Sequence, residues 1–364
     1  MGFNCGIVGL PNVGKSTIFN ALTSAKAEAA NYPFCTIDPN IGIVALPDKR
    51  LDEIAKIFKP EKILPTSVEF VDIAGLVKGA SQGEGLGNKF LGNIKSVDAI
   101  AHIVRCFDDA DVVHVSGNVG PGRDIEVINT ELSLADLQTI STRIEKNARL
   151  AKSGNKEAIK ETEVLKKISE SLNKGIPARL MGLNEEEKKI AAPLFLLTIK
   201  PVLYVCNVDE NNLKEDNDYV KEVKKIAAEE KSDVVVLCGK LEAEIAQMEA
   251  SEREAFLKDY GLTEPGLNRM ASQAYHLLGL ITYFTAGPKE VRAWTVEKNS
   301  TAPKAAGVIH SDFEKGFIKA EIYSFEDLIK QGSEAKVKES GLMRMEGKEY
   351  IVKDGDIIFF RFNV

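Results

Sequence analysis

The feature that most constrains this chain is the segment GLPNVGKS at residues 9–16, which fits the pattern G-x-x-x-x-G-K-S/T. It stands between an apolar run over residues 3–8 and a helical pattern that begins at Lys15. Such loops turn backbone N–H groups toward phosphate oxygens, the lysine reaches the β and γ phosphates, the serine ligates Mg²⁺, and the helix N-terminus adds positive potential. We therefore predict a nucleoside triphosphate site, with an ordinary glycine-rich turn as the weaker alternative. The predicted contacts are Asn12, Val13, Gly14, Lys15, Ser16 and Thr17.

Composition narrows the class of protein. A length of 364 residues suits two or three domains, and 44% hydrophobic with 28% charged residues is typical of a globular protein. The net charge of −7 argues against coating of nucleic acid or binding to an acidic membrane, so any nucleic-acid contact must be regional. Five scattered cysteines without a C-x-x-C pair indicate free thiols in a reducing compartment and imply no zinc site. With neither a leader pattern nor a run of about 18 apolar residues, we expect a cytoplasmic protein with no membrane and no DNA partner.

Strand and helix patterns alternate along the first part of the chain, which predicts an α/β domain with a mostly parallel sheet and a ligand at the carboxyl ends of its strands. Apolar residues at three- and four-residue steps between 128 and 172, broken by a turn at 153–155, predict an inserted antiparallel helical hairpin. A strand-rich pattern after residue 278 predicts a small separate α+β domain. The predicted helices cover 16–22, 51–58 and 219–228. The predicted strands cover residues 3–8, 41–46, 68–72, 99–105, 112–115, 201–207, 234–238, 281–285, 291–296, 317–323 and 350–362, the last with a tight turn at 353–356.

A second phosphate-site motif follows the predicted strand at 68–72. Asp72 opens a D-x-x-G sequence that ends at Gly75, and in nucleoside triphosphatases this aspartate holds a Mg²⁺-bound water while the glycine N–H reaches the γ-phosphate. Thr36 lies in a turn-rich loop and is a candidate to close over the metal, with a plain turn residue as the alternative. The glycine-rich residues 76–87 predict a loop that orders with the γ-phosphate, and a bland linker is the alternative. The predicted metal ligands are Ser16, Thr36 and Asp72.

Base recognition is where the sequence departs from GTPases. GTPases of this fold use N-K-x-D, whose aspartate accepts two hydrogen bonds from guanine, and that motif is absent from the chain. The equivalent position reads Asn207, Val208, Asp209 and Glu210, so the carboxylate is one methylene longer and the covering lysine is a valine. The loss of a charge-assisted pair forfeits on the order of 2 to 3 kcal/mol. We predict that Asn207, Val208 and Glu210 bind ATP in preference to GTP; the alternative is that Asp209 takes the guanine contact through a shifted loop.

The predicted hairpin is locally basic. Residues 143–174 contain nine lysines and arginines against five acidic residues, within a chain whose net charge is negative. A solvated helix face is the commoner reason for such a run, and a binding surface is the alternative.

Five segments together resemble the YchF family of Obg-like ATPases over nearly the whole chain. They are residues 9–17 (GLPNVGKST), 31–36 (NYPFCT), 72–79 (DIAGLVKG), 83–91 (GEGLGNKFL) and the pair Asn207-x-x-Glu210. The resemblance implies an OBG-type nucleotide-binding domain over 1–128 and 197–277, an inserted antiparallel coiled coil over 129–196, and a C-terminal TGS domain of ubiquitin-like fold over 278–364. It also implies ATP as the nucleotide and association with the ribosome. One departure, Cys238-Gly239-Lys240 where relatives usually read Ser-Ala-Lys, bears on the base contact.

The catalytic groups predicted from motif and resemblance are Lys15, Gly75 and His114. Ras-type enzymes place a water-orienting glutamine after D-x-x-G, but here that residue is Leu76, which has no donor or acceptor. His114 lies at a predicted strand end beside a Gly/Pro loop, and the resemblance also indicates it as the residue that positions water; a merely structural histidine is the alternative. Asn12 is a plausible ligand for K⁺ in the role of a fixed arginine finger.

The sequence thus predicts a slow, Mg²⁺-dependent triphosphatase that acts as a conformational switch. The predicted partners are ATP and the ribosome, either the large subunit or the whole particle, with RNA contacts from the hairpin and the TGS domain. Three alternatives remain open: a GTPase switch, a P-loop kinase, and a nucleotide-sensing adaptor with little hydrolysis.

Overall fold

The computed structural model describes residues 3–24, 40–73, 86–109, 112, 114 and 117–363. Its first part contains, in chain order, β1 (Asn4–Val8), α1 (Lys15–Ser24), β2 (Ile41–Ala45), α2 (Lys49–Phe58), β3 (Lys62–Leu64), β4 (Ser67–Asp72), α3 (Leu86–Ser96) and β5 (Ala99–Arg105). The long helices α4 (Pro121–Lys152) and α5 (Lys156–Asn173) and the short α6 (Glu185–Ala191) follow. The chain continues with β6 (Val202–Asn207), α7 (Asp218–Glu230), β7 (Asp233–Leu237), α8 (Gly239–Ile245), α9 (Ala250–Asp259) and α10 (Gly266–Leu277). The C-terminal part contains β8 (Leu280–Ala286), β9 (Glu290–Glu297), α11 (Ala302–Ile309), α12 (Ser311–Lys315), β10 (Phe317–Ser324), α13 (Phe325–Gln331), α14 (Glu334–Glu339), β11 (Arg344–Glu346) and β12 (Asp356–Phe362).

The first sheet has the strand order β2-β4-β1-β5-β6-β7. Only the edge strand β2 runs antiparallel to its neighbour, with Ile41 opposite Val71, and the other pairings are parallel. Strands β5 and β6 are buried along their whole length because helices cover both faces of the sheet. Parallel strands end at one edge, so the segments after β1, β4, β5 and β6 meet there. The predicted α/β class is confirmed.

The helical hairpin is continuous with this domain through α4. Ile128 and Leu132, in the first half of α4, belong to the core of the sheet domain, whereas Ile140 packs with Leu165 and Ile168 of α5. Between the two cores, the buried Asp136 carboxylate accepts hydrogen bonds from the backbone N–H groups of residues 197 and 198, each at 2.8 Å, and from the hydroxyl of residue 198 at 2.6 Å. The base of the hairpin is thereby tied to the chain that returns to β6.

The second sheet has the strand order β11-β10-β12-β8-β9-β3 and includes a strand from the first part of the chain. Helices α11 and α12 cover one face, and α13 and α14 cover part of the other. The three-residue β3 adds to β9 in parallel, with Ile63 opposite Val291. The preceding helix α2 inserts Leu51 and Ile54 into the same core as Phe284. The segment between β2 and β4 is thus bonded to the C-terminal sheet.

One strand is shorter than predicted, and one strand prediction is wrong. The last strand begins only at Asp356. The tight turn predicted at residues 353–356 is confirmed, and the Asp356 side chain closes it by accepting a hydrogen bond from the Lys353 N–H at 2.9 Å. The strand predicted over 112–115 is wrong at its described residues, since Val112 lies in a bend and His114 in irregular chain. The Val112 carbonyl accepts a hydrogen bond from the Arg105 guanidinium at 2.9 Å and is therefore not available for strand pairing.

We expect Ile54→Ala to destabilise the protein by about 2 to 5 kcal/mol, because Ile54 is fully buried between α2 and the C-terminal sheet and its truncation leaves a cavity. Ile63→Ala in β3 is the control, since that side chain is largely exposed and its loss should cost less than about 1 kcal/mol. Urea unfolding followed by circular dichroism measures both. Equal losses would show that α2 is not part of the C-terminal core.

Candidate nucleotide-binding site

The loop between β1 and α1 has the backbone shape of a phosphate cradle. Gly14 has φ of +97° and Asn12 has φ of 63°, both left-handed conformations. A Cβ atom at position 14 would also collide with the amide nitrogen of Asn207, so only glycine fits there. The chain then enters α1 directly, with the Ile18 N–H donating to the Gly14 carbonyl at 3.0 Å. The N-terminus of α1 therefore faces the cradle, as the motif predicts.

Lys15 lies nearly buried across the loop, where its ammonium donates to the Leu10 carbonyl at 2.7 Å. Burial lowers the pKa of Lys15 to about 8, against the opposing influence of the Asp72 carboxylate. Asp72 ends β4 and is half-buried, and burial raises its pKa, while Lys15 opposes that rise. Each charge is therefore only partly compensated by the other. Phosphate bound near Lys15 and a divalent cation bound near Asp72 would complete the charge balance.

Ser16 and Asp72 fit a magnesium site. The Ser16 side chain is exposed at the start of α1 and lines the cavity beside Lys15. Hydroxyl and carboxylate oxygens are the ligands that Mg²⁺ prefers, and Mg²⁺ is commonly bound by one or two protein oxygens plus substrate phosphates. The predicted third ligand, Thr36, lies outside the described residues, as does Gly75.

A cavity of about 620 Å³ opens at the carboxyl ends of the parallel strands. This volume lies within the range of small-molecule sites. Every described residue predicted to contact nucleotide lines it except Val13, which is buried beneath the loop. The predicted residues on its wall are Asn12, Gly14, Lys15, Ser16, Thr17, Asn207, Val208 and Glu210.

Asn207 ties the phosphate loop to the far wall of the cavity. Its amide nitrogen donates to the Val13 carbonyl at 2.9 Å, and its amide oxygen accepts from the Gly239 N–H at 2.9 Å. Gly239 opens α8 after Cys238, the departure noted in the sequence. The side chain thus uses one donor and one acceptor on backbone, which leaves one N–H and one lone pair for a base.

The carboxylates of Asp209 and Glu210 both accept hydrogen bonds from other groups of the protein. The Asp209 carboxylate caps its own turn, accepting from the N–H groups of Asn211 at 2.9 Å and Asn212 at 3.1 Å and from the Asn212 side chain at 2.8 Å. Glu210 accepts from the exposed Lys240 ammonium at 2.9 Å. Neither carboxylate is therefore held as a free two-oxygen acceptor of the kind that guanine requires.

Sequence reasoning missed the wall formed by Phe107, Asp108, Asp109 and Val112. Arg105, buried at the end of β5, organises this wall by donating to the carbonyls of Phe107 at 3.1 Å and Val112 at 2.9 Å, and its guanidinium lies 4.7 Å from the centre of the Phe107 ring. Their position in the chain could have indicated them, because they follow β5, which lies next to β1, and ligands bind at the carboxyl ends of such strands.

His114 is buried away from the cavity wall. Its Nε2 lies 2.8 Å from Oδ2 of Asp124, in the first turn of α4, and both side chains are almost completely buried. His114 is not among the residues that line the cavity. A role in positioning water stays a prediction.

Other sequence predictions concern thiols and membrane segments. The described cysteines Cys5, Cys106, Cys206 and Cys238 are free, as predicted, and all four are buried. Cys35 lies outside the described residues. No helix in the described part of the chain combines the length and the apolar character needed to span a membrane.

The doubly covered parallel sheet, the glycine-rich cradle with its buried lysine, and the aspartate at the end of β4 define a P-loop nucleoside triphosphatase. A family model described as "50S ribosome-binding GTPase" matches residues 4–140, and the model YchF-GTPase_C, described as "Protein of unknown function (DUF933)", matches residues 280–363. Proteins named "Ribosome-binding ATPase YchF" from Haemophilus influenzae and Bacillus subtilis are 57% and 54% identical, with the full length of each chain covered. The solved structure of the Schizosaccharomyces pombe YchF GTPase superposes with a TM-score of 0.90 at 37% identity, covering 99% of this chain and 98% of the other. The chain belongs to the YchF family.

Proposed function

We propose that this chain is a slow, Mg²⁺-dependent ATPase that prefers ATP to GTP and switches conformation while associated with the ribosome. The observation that carries the base preference is the geometry after β6. The Asp209 carboxylate is used by its own turn, and Glu210 is one methylene too long and pairs with Lys240. This arrangement supports a preference for ATP and argues against the alternative of a GTPase switch. The printed names of the bacterial relatives, which bind ribosomes and hydrolyse ATP, support the same function.

The chemistry follows from the cradle. Lys15 and the backbone N–H groups at the start of α1 hold the β and γ phosphates and orient the γ-phosphoryl group. Ser16 and Asp72 would hold Mg²⁺, with Thr36 as a further proposed ligand and the Gly75 N–H as a proposed donor to the γ-phosphate. Bound Mg²⁺ supplies neutralisation of charge on the phosphate oxygens. Asn12, exposed at the cavity, is the proposed ligand for K⁺.

A single-turnover assay of phosphate release tests this function. With ATP and Mg²⁺, we expect stoichiometric release of phosphate and no phosphorylated acceptor, and chelation of Mg²⁺ should stop the release. Ser16→Ala should raise the Mg²⁺ concentration required for half-maximal rate. Tight ATP binding without release would instead identify a nucleotide-sensing adaptor, and transfer to an acceptor would identify a kinase.

We expect His114→Ala to reduce turnover by about tenfold or more while ATP affinity stays unchanged, because a positioning group acts on the attacking water and not on the bound nucleotide. The buried pair with Asp124 provides the control. Asp124→Asn weakens the same pair but leaves the imidazole in place. If both variants lose stability equally and neither loses turnover, His114 is structural.

The hairpin is the proposed ribosome contact together with the C-terminal domain. Arg149 and Lys152 lie in the last turn of α4, and Arg143 and Lys146 are exposed on the same helix. Contacts of lysine and arginine with RNA phosphates release counterions, so binding should weaken steeply as salt is raised. A ribosome-associated ATPase of this kind works in the cytoplasm.

Neutralising Arg143, Lys146, Arg149 and Lys152 together should reduce co-sedimentation with ribosomes and leave ATP affinity intact. The matched control is the pair Lys160→Ala and Lys167→Ala on α5, whose ammonium groups already pair with Glu186 and Glu187. Arg143 is also paired, with Glu161, so we expect the loss to come mainly from Lys146, Arg149 and Lys152. A pellet fraction that is the same for all variants would remove the hairpin from the interface.

A further inference from the structure

Phe195 has an unusual backbone and an unusual exposure. It caps the short 3₁₀ turn Ala192–Leu194 with φ of 50° and ψ of 47°, a left-handed conformation that is an outlier for a bulky residue. Its side chain is nevertheless 63% exposed. Glycine or asparagine would fit this turn with less strain, and a polar residue would suit the exposure. Strained residues of this kind cluster at functional sites.

The surroundings of the ring are basic. Phe195 borders a groove of about 540 Å³ that lies between α4, the end of α3 and the 3₁₀ turn. Lys95, Arg143 and Lys146 line it, and none of the described residues that line it is acidic, although the net charge of the chain is −7. Arg143 is held by Glu161 at 2.7 and 3.2 Å, whereas Lys95 and Lys146 are exposed. We call this site the Phe195 groove.

The walls of the Phe195 groove are anchored. Two and three residues after Phe195, the backbone N–H groups at 197 and 198 donate to the buried Asp136 carboxylate. On the other side, the Lys200 ammonium donates to the Lys95 carbonyl at 3.2 Å, which ties the end of α3 to the same stretch of chain. The backbone on both sides of the groove is therefore fixed, which lowers the entropy lost on binding.

We propose that the Phe195 groove binds single-stranded RNA, with one base stacked on the Phe195 ring and the flanking phosphates held by Lys95 and Lys146. The inference rests on the proposed ribosome association and names the chemistry of one contact. An acidic peptide would satisfy the lysines but leave the ring in water, and an apolar peptide would cover the ring but leave the cations unpaired. A single-stranded nucleotide uses both, because every base has a face for stacking and a phosphate on either side.

The test measures binding of a short fluorescein-labelled oligoadenylate RNA to the full-length protein by anisotropy. Phe195→Leu should weaken binding about tenfold, because it keeps an apolar side chain but removes the stacking surface. Phe195→Tyr should bind within about twofold of the wild type, since it keeps the ring. Lys95→Ala with Lys146→Ala should reduce the slope of log affinity against log salt by about 1.4, or about 0.7 for each lost phosphate contact.

Two further variants separate binding from folding. Phe195→Asn should raise the unfolding midpoint, since asparagine tolerates the left-handed turn, and should still lose RNA binding. Leu180→Ala is the control, because Leu180 is also an exposed apolar side chain near the hairpin but does not line the Phe195 groove. Leu180→Ala should bind RNA as the wild type does.

Ribosome co-sedimentation of the same variants distinguishes the two proposals. If the RNA affinity of Phe195→Leu equals that of the wild type, the inference is wrong. If ribosome binding nevertheless falls in that variant, the groove contacts ribosomal protein and not RNA. If the wild type does not pellet with ribosomes but Phe195→Leu weakens RNA binding, the RNA site is supported and the proposed ribosome association is wrong.

Discussion

Lys15→Ala is expected to lower the rate of ATP hydrolysis by about 10²- to 10³-fold, the usual cost of removing one group that stabilises charge in the transition state. ATP affinity should fall by about ten- to a hundredfold, since the ammonium makes charge-assisted contacts with phosphate in the ground state as well. The structure supplies the reason for so large an effect. Lys15 is held across the cradle by the Leu10 carbonyl, and its burial strengthens a charge-assisted contact with phosphate relative to one in water.

The folded state should tolerate this change. Burial depresses the pKa of Lys15, so the ammonium is a cost to the empty protein and its removal should not lower the unfolding temperature. Lys240→Ala is the matched control at the opposite end of the cavity, where the side chain is exposed and bonded to Glu210. Its effect on turnover should be less than about tenfold. Hydrolysis that survives Lys15→Ala would refute the assignment of the cradle.

Glu210→Asp together with Val208→Lys is expected to shift the ratio of the dissociation constants for ATP and GTP by about a hundredfold toward GTP. The shorter carboxylate moves by about 1.5 Å, one C–C bond, toward the position from which both guanine donors are reached. A restored charge-assisted pair contributes about 2 to 3 kcal/mol. Val208 is buried on the cavity wall, so the lysine stem can follow that wall and place its ammonium over the base.

Single variants separate the contributions to base choice. Glu210→Asp alone breaks the exposed contact with Lys240, which is worth little to stability, so any change in base preference reports on the base contact. Asp209→Asn tests the alternative that Asp209 reaches guanine through a shifted loop. In that case the variant would lose GTP affinity selectively, whereas the capping role predicts similar small changes for ATP and GTP, with partial loss of the turn. Competition of ATP and GTP with a fluorescent analogue measures the base preference of these two single variants and of the double variant.

The phosphate site could be predicted from sequence because its determinants are local. Gly14, Lys15 and Ser16 lie within three residues, and the loop they form is dictated by glycine conformation and the helix that follows. Asp72 could be predicted because it ends a buried strand, and parallel strands bring their ends together. The two long helices were likewise visible in the spacing of their apolar residues.

The parts that escaped prediction depend on distant pairings. β3 has three residues, carries an exposed Ile63 and pairs with β9 more than two hundred positions later, so no local pattern assigns it to the C-terminal sheet. The hydrogen bond from the Asn207 side chain to the Val13 carbonyl could not be predicted, because every residue carries a backbone carbonyl and the sequence does not mark which one is the acceptor. The pairing of His114 with Asp124 was also hidden, because both look like ordinary polar residues near a helix start.

The central claim is that this protein is an ATPase because it lacks a carboxylate placed to bind guanine. The most direct test is to measure the dissociation constants for ATP and GTP side by side. Isothermal titration of the wild-type protein with each nucleotide and Mg²⁺, at one salt concentration, gives both values. We predict that ATP binds more tightly than GTP, because Asp209 is used by its own turn and Glu210 does not offer both oxygens to guanine. GTP binding tenfold tighter than ATP would contradict the account.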